Sequence, residues 1–440
     1  MPFSRRAVAR PIFGLFALLL ALPAAAQLEI TITGSAGTQI PAAFVPFGWQ
    51  GPGDTPPFDV AALVEQDLVN SGYFSALERR NMVSRPTQGS QLNFLDWRIV
   101  DVNIVLVGEL TQTGADQYNL AFQLFDVVRG EQLLAFRVDS SLDDLRSTSH
   151  RIADMVYEEM TGIRGIFSTR IAYITEERTS PDDRTFRLIV ADADGANAQT
   201  IARSTEPLMS PNWSPDGRRI AYVSFEGRQS AIYVQTLATG TRERVSAEVG
   251  VNGAPVFSPD GRRLAVTLSG AGGNLDIHIL DIATRRAQRI TVNAAIDTES
   301  VWSADGETLY FTSGRPGSTQ IYRVLARPGG IARRVSFEGT YNADASMSPT
   351  GEQLAIVHRN QGRDRIALLD PETGVIDILS RGSLDESPSF APNGAMIIYA
   401  TRDRGQGVLA SVSTDGRVHQ RIASVAGDVR EPVWSPYPLP

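Results

Sequence analysis

One short pattern recurs six times through the second half of this chain. It reads Trp213-Ser-Pro-Asp-Gly217, Phe257-Ser-Pro-Asp-Gly261, Trp302-Ser-Ala-Asp-Gly306, Met347-Ser-Pro-Thr-Gly351, Phe390-Ala-Pro-Asn-Gly394 and Trp434-Ser-Pro436. Counted at Ser214, Ser258, Ser303, Ser348, Ala391 and Ser435, the steps are 44, 45, 45, 43 and 44 residues. A fixed period of about 40–45 residues, with turn chemistry and several short strands in each unit, is the mark of a β-propeller.

The pattern explains its own recurrence. Proline presets φ, Asp can cap the turn through its carboxylate, and Gly supplies positive φ, so each tetrad makes a tight turn between two strands. The aromatic ahead of it, with Met347 as the exception, is expected to wedge between neighbouring blades. Burying each such ring contributes several kcal/mol, at roughly 25 cal/mol per Å2 over ~150–250 Å2. After each turn comes an apolar strand (Ile220-Ala-Tyr-Val, Leu264-Ala-Val-Thr, Leu309-Tyr-Phe-Thr, Leu354-Ala-Ile-Val, Ile397-Ile-Tyr-Ala), and further strands follow it. At the ends of the array, Ile171-Ala-Tyr-Ile has the second-strand pattern without a preceding motif, whereas Trp434-Ser-Pro436 has the motif without following strands. The two fragments complete one blade, which closes a ring of six and removes open sheet edges.

The first part of the chain lacks the repeat. Arg5, Arg6 and Arg10 precede an apolar run from Ile12 to Leu22, and Ala24-Ala25-Ala26 stands before Gln27. This reads as a secretory signal peptide (1–26) cleaved between Ala26 and Gln27, too short to anchor in a bilayer. Residues 27–165 read as a small α/β domain, and 166–440 as the propeller. Leu28, Ile30 and Ile32 alternate with Glu29, Thr31 and Thr33, as in a strand with one buried face. Val60, Leu63, Val64 and Leu68 form a helical stripe ending at Ser71-Gly72. Val102–Leu110 and the alternating Tyr118, Leu120, Phe122 and Leu124 read as strands. A second helix turns Leu142, Leu145, Ile152, Val156 and Met160 inward and stops at Gly162. The fold class is therefore α+β in two domains, with helices on a short sheet followed by a six-bladed propeller of WD40-like (PD40) repeats closed by the chain ends. The short junction around Gly162 and Gly165 reads as a hinge.

Composition removes several function classes. The chain has no Cys, hence no disulfide, thiol nucleophile or lipidated N-terminal Cys, and every one of its 41 basic residues is Arg. Without Lys there is no P-loop lysine and no Schiff base. The formal net charge is −8, and loss of the three signal arginines takes it to −11, which argues against nucleic acid and anionic membrane as partners. His150, His278, His358 and His419 lack metal-ligand spacing, and no Gly-x-Ser-x-Gly elbow occurs. No catalytic, metal or cofactor residue is assigned.

Asymmetry, which a binding site needs, appears just ahead of each motif. Four positions before the Ser/Ala stand Ser210, Ala254, Glu299, Asp344, Ser387 and Glu431; six before it stand Leu208, Asn252, Asp297, Asn342, Asp385 and Val429. At the starts of inner strands these crowd one mouth of the central channel, where Asp297, Glu299, Asp344, Asp385, Glu386 and Glu431 make an acidic rim. Polar loop tips would look the same. A docking face for a basic or amide-rich partner is the functional reading. A bound Ca2+ lacks any loop-ligand spacing here, and nothing singles out a carboxylate pair for glycoside chemistry.

Export signal, small α/β domain and six Trp-Ser-Pro-Asp-Gly repeats together resemble the TolB family, periplasmic components of the Tol-Pal system of Gram-negative bacteria. The most specific stretches are Val45-Pro-Phe-Gly-Trp-Gln-Gly-Pro-Gly53, Thr161-Gly-Ile-Arg-Gly165, Thr169-Arg-Ile-Ala-Tyr173, Pro207-Leu-Met-Ser-Pro211, Asn252-Gly-Ala-Pro255 and Trp434-Ser-Pro-Tyr437. The resemblance implies a non-enzymatic scaffold in the periplasm. Its propeller mouth would bind the peptidoglycan-associated lipoprotein Pal, and its N-terminal segment TolA, in support of outer-membrane integrity and of outer-membrane invagination at division. Other outer-membrane or peptidoglycan-associated proteins are further candidate partners. The Pal face maps to Asn252, Gly253, Ala254, Asp297, Thr298, Glu299, Asn342, Asp344, Asp385, Glu386 and Glu431. Val251 stands where some relatives carry a polar residue. The TolA segment maps to Leu28, Glu29, Ile30, Thr31, Ile32 and Thr33, a pattern equally suited to a partner's sheet edge and to a first strand of the α/β domain. The rival class is a periplasmic propeller enzyme acting on a carbohydrate or peptide.

Overall fold

The computed structural model describes residues 30–32 and 39–438, apart from 181–182, 270–271, 423 and 425–426. The signal peptide with its Ala26/Gln27 cleavage point, and Leu28, Glu29 and Thr33, lie outside the described residues. Strand β1 (Ile30–Ile32) is followed by the N-terminal domain, built from β2 (Ile40–Phe44), β3 (Gly48–Gln50), α1 (Val60–Asn70), β4 (Phe74–Ala76), α2 (Phe94–Ile99), β5 (Ile104–Gly114), β6 (Gln117–Asp126), β7 (Glu131–Ser141) and α3 (Leu145–Thr161). The sheet order is β4-β2-β5-β6-β7, with β3 also paired to β5. Strands β4, β2 and β5 run parallel, and β5–β6–β7 form an antiparallel meander.

Helices α1 and α3 cover one face, where Val64, Leu68, Ile152 and Val156 meet Phe44, Leu106, Leu120 and Phe122. Trp97 of α2 closes the other face against Val45, Val105 and Phe125. Helix α1 starts where Asp59 accepts the Ala62 amide at 2.9 Å. Helix α3 stops at Gly162, whose φ of 72° turns the chain away. Leu142 lies ahead of this helix and is exposed, so it does not belong to the inward stripe expected for it.

The six blades are four-stranded antiparallel sheets in the predicted phase. In the closing blade the C-terminal strand Asp428–Trp434 pairs with Arg170–Ser180, from Asp428 opposite Glu176 to Trp434 opposite Ile171. Ser435 seals the joint: its amide donates to the Arg170 carbonyl and its Oγ accepts the Arg170 amide, at 2.8 and 2.9 Å.

The motif side chains do what their chemistry allows. Ser214 Oγ accepts the Arg219 amide at 2.9 Å and donates to Asp216 at 2.5 Å, while Asp216 accepts the Arg218 amide at 3.0 Å. Ser258 and Ser303 repeat this net. The aromatics wedge backward: Trp302 packs on Ala265, Ile277 and Ile279 of the preceding blade and donates Nε1–H to the Val256 carbonyl at 3.1 Å. Arg170, Arg219 and Arg263 lie over the rings of Trp213, Phe257 and Trp302, each about one blade ahead.

Strand β1 departs from both sequence expectations. It neither opens the α/β sheet nor stands free; Ile30, Thr31 and Ile32 pair antiparallel with Gln420, His419 and Val418, as a fifth strand on the outer edge of a blade. An outer blade edge carries unpaired amides and carbonyls, and a short segment of alternating pattern satisfies them.

The domain junction is pinned. Asp154 of α3 accepts the amides of Phe167 and Ser168 at 2.7 and 3.2 Å, and Gly165 sits so close to Asp154 that a Cβ would meet its backbone. The Arg164 carbonyl accepts from Asn393, and its guanidinium lies 3.7 Å from the Tyr437 ring centre. A hinge expected from two glycines is thus held from both sides.

Candidate functional site

The turns that carry Asn393 and Asp192–Asp194 face the N-terminal domain, so the starts of the innermost strands form the opposite, open mouth of the channel. There the six residues four positions before the motif share one conformation. Ser210, Ala254, Glu299, Asp344, Ser387 and Glu431 all have φ between 45° and 53°. Each stands at a register shift in its strand pairing, a β-bulge repeated blade by blade. Left-handed backbone is costly for side-chain-bearing residues, about 1–2 kcal/mol each, and its persistence in every blade aims six side chains into one axial cavity of about 460 Å3.

Three of the six are carboxylates, and the cavity suppresses their ionisation. Burial raises Glu299, whose Oε2 accepts from Thr312 Oγ1 at 3.0 Å. Burial, then the neighbouring Glu299 charge, pushes Asp344 well above the ordinary carboxylate range. Glu431, which accepts the Ser210 amide, is pushed by burial up to about 7. Glu386 adds an exposed carboxylate on the rim. Crowded like charges on rigid backbone form a site that attracts cationic or amide donor groups.

The positions six before the motif behave differently. Asn252, Asp297, Asn342 and Asp385 are at most 1% exposed. Asn252 donates to the Ser230 and Glu248 carbonyls and accepts from Ser246 at 2.7 Å. Asn342 donates to Gln320 and to the Glu338 carbonyl, and its Oδ1 meets His358 at 2.7 Å. Asp297 holds Ser313 and Arg315, at 2.8 and 2.7 Å, and Asp385 holds Thr401 and Ser380. These four side chains are buried within their blades, Asp385 behind the cavity wall. They anchor the connections that lead into the inner strands. Gly253, Ala254 and Thr298 are partly exposed beside the cavity.

The sequence reading passed over the apolar component of the mouth. Val251, Ile296 and Leu384 are 43, 55 and 52% exposed, and all stand seven positions before the motif Ser/Ala. Val249 and Val292 are exposed on the first two of these connections. The repeat phase that revealed the carboxylates would have revealed this crescent. At the other partner segment, β1 is placed on the blade edge as described. His278 and His419 are partly buried in strands, whereas His358 and His150 are buried with polar partners.

Comparison with known proteins agrees with this architecture. A family model described as the TolB beta propeller domain matches residues 157–438, and one described as the TolB amino-terminal domain matches 28–133. A Tol-Pal system protein TolB from Thioalkalivibrio sulfidiphilus is 56% identical over 95% of this chain and 96% of its own length. One from Xanthomonas euvesicatoria is 48% identical over 96% and 97%. The crystal structure of TolB from Acinetobacter baumannii superposes with a TM-score of 0.84 at 40% identity, covering 93% of this chain and all of that one. Both domains, their order and nearly the whole length correspond, and the chain belongs to the TolB family of Tol-Pal system proteins.

Proposed function

We propose that this chain is a non-enzymatic periplasmic scaffold of the Tol-Pal system, which binds Pal at the propeller mouth and TolA through its N-terminal segment. In this role it supports outer-membrane integrity and outer-membrane invagination during division. The observation that carries the reading is the ring of six left-handed residues aiming Glu299, Asp344 and Glu431 into one rigid cavity. An acidic centre inside an apolar crescent matches the anatomy of a protein interface, in which apolar contacts exclude water around a few strong polar ones. The contact set then narrows to Gly253, Ala254, Thr298, Glu299, Asp344, Glu386 and Glu431, with Val251, Ile296 and Leu384 added. TolA binding is assigned to residues 28–33, whose described part is paired to the propeller in this structure.

The test is calorimetric titration of the mature chain with the soluble domain of its Pal. One-to-one binding is expected, and Glu299→Arg or Asp344→Arg should weaken it tenfold or more, about 1.4 kcal/mol each. Binding indifferent to both reversals would move the site off the mouth.

A second reading, a propeller enzyme acting on a carbohydrate or peptide, draws on the proton that burial keeps on Glu431, as a general acid requires. Turnover of peptidoglycan fragments that disappears in Glu431→Gln would establish that reading against the scaffold.

A further inference from the structure

A second cluster of charged groups lies at the seam between the domains, at the opposite end of the propeller from the acidic mouth. His150 of α3 is 2% exposed, and its Nδ1 meets Asp67 Oδ2 of α1 at 2.6 Å; Asp67 is itself 3% exposed. The other ring nitrogen, Nε2, is buried and has no hydrogen-bond partner. Near the ring stand the carboxylates of Asp192, the last residue of the propeller strand Asp183–Asp192, and of Asp194 in the turn that follows. One ligand atom from each of His150, Asp192 and Asp194 lies within 4.8 Å of the others.

We propose that His150 Nε2, Asp192 and Asp194 form a binding site for a divalent transition-metal cation of the zinc class, which ties α3 to the first propeller turn.

Three features carry the assignment. Asp67, by accepting from Nδ1–H, fixes the tautomer in which Nε2 presents its lone pair to the carboxylates, the arrangement that orients metal-binding imidazoles. One imidazole nitrogen with two carboxylate oxygens selects a borderline cation over Mg2+ or Ca2+, which take oxygen. The third feature is charge. Asp67, Asp192 and Asp194, with Asp154 acting on Asp67 and His150, outnumber Arg146, which pairs with Asp192 Oδ2 at 3.1 Å and with Asp194 Oδ2. A dication offsets the negative charge left over. Donor atoms of a tetrahedral zinc site stand about 3.4 Å apart, given bond lengths of about 2.1 Å. Closing the gap requires the two partly exposed Asp side chains to turn inward, Asp194 giving up the Ala196 amide and Asp192 the Asn197 side chain. A cavity of about 70 Å3, lined by Asp67, Asp194 and Tyr157 among others, lies beside the cluster.

The experiment uses the mature chain, stripped with a chelator and titrated calorimetrically with Zn2+, and in parallel with Mg2+ and Ca2+. Saturable one-to-one Zn2+ binding is expected, with a rise in Tm that neither hard cation reproduces. Co2+ in place of Zn2+ should give the visible bands of a four-coordinate nitrogen and oxygen site. Both Asp194→Asn and His150→Gln should weaken Zn2+ at least tenfold. Should His150→Gln fail to fold because Asp67 is left unpartnered, Asp194→Asn decides, since Asp194 lies outside that pair. Absence of saturable binding, retention of Zn2+ affinity in Asp194→Asn, or equal uptake of Mg2+ would each overturn the proposal.

Discussion

Glu431 and its neighbours keep their protons to higher pH than a surface carboxylate does. Glu431 titrates at about 7 against an ordinary 4.5, because burial penalises its charged form. A carboxyl raised on folding contributes stability that is complete below its unfolded pKa and lost as the pH climbs through the folded one. The unfolding midpoint should therefore fall as pH rises from about 4.5 to 7, and Glu431→Gln should flatten that slope in thermal melts. Affinity for a cationic partner should run the other way, growing over the same window as the mouth ionises. The residues two positions earlier in each strand carry stability instead. Asp297 is fully buried against Arg315 and Ser313. Asp297→Ala strands a mostly buried guanidinium, so we expect a loss of about 3–5 kcal/mol in urea unfolding. Glu299→Gln, two residues away, should cost almost nothing.

At the scale of elements, the informative piece is β1, because its partner is an edge and not a core. Three residues paired to Val418, His419 and Gln420 give a shorter ladder than those between the two middle strands of the blades, so the strand is expected to open first. If residues 28–33 must leave this edge to reach TolA, covalent attachment will block them. A disulfide joining Thr31→Cys to His419→Cys, which stand opposite each other, should abolish capture of the TolA periplasmic domain in a pull-down. Reduction should restore it, and capture by the oxidised form would assign the contact elsewhere. The alternation of Leu28 to Thr33 announced a strand; its partner was not readable, because alternation specifies one buried face and not which sheet supplies the edge. The strands Gly48–Gln50 and Glu131–Ser141 went unread for a related reason. The first is short and Gly-led, and the second is an edge strand whose alternating Leu134, Phe136 and Val138 are only partly buried or exposed.

On the scale of the whole molecule, closure by the chain ends carries the propeller. A chain ending at residue 427 lacks the innermost strand of the closing blade, and with it the pairing to Arg170–Ser180 and the Trp434 bond to Thr169 at 2.8 Å. Such a chain should lose cooperative unfolding and bind a hydrophobic dye, measured by near-ultraviolet circular dichroism and fluorescence. If it stayed cooperative, closure would be dispensable.

What the sequence determined by itself was whatever repeats or is local. The 43 to 45-residue period set six blades, and the Ser-Pro-Asp-Gly turn chemistry set their phase. The split motif at Ile171 and Trp434 set the closure, and phase alone brought Glu299, Asp344 and Glu431 to one mouth. Only the tertiary structure decided which rim side chains point into the channel. A bulge, which period-two alternation cannot foresee, turns the Glu299 position inward and leaves the Asp297 position sealed in its own blade. It also decided that His150 meets Asp67, 83 residues away in sequence, with Asp192 and Asp194 opposite. Neither helix pattern nor turn chemistry encodes that meeting, because it depends on how two separately folded domains dock across a pinned junction.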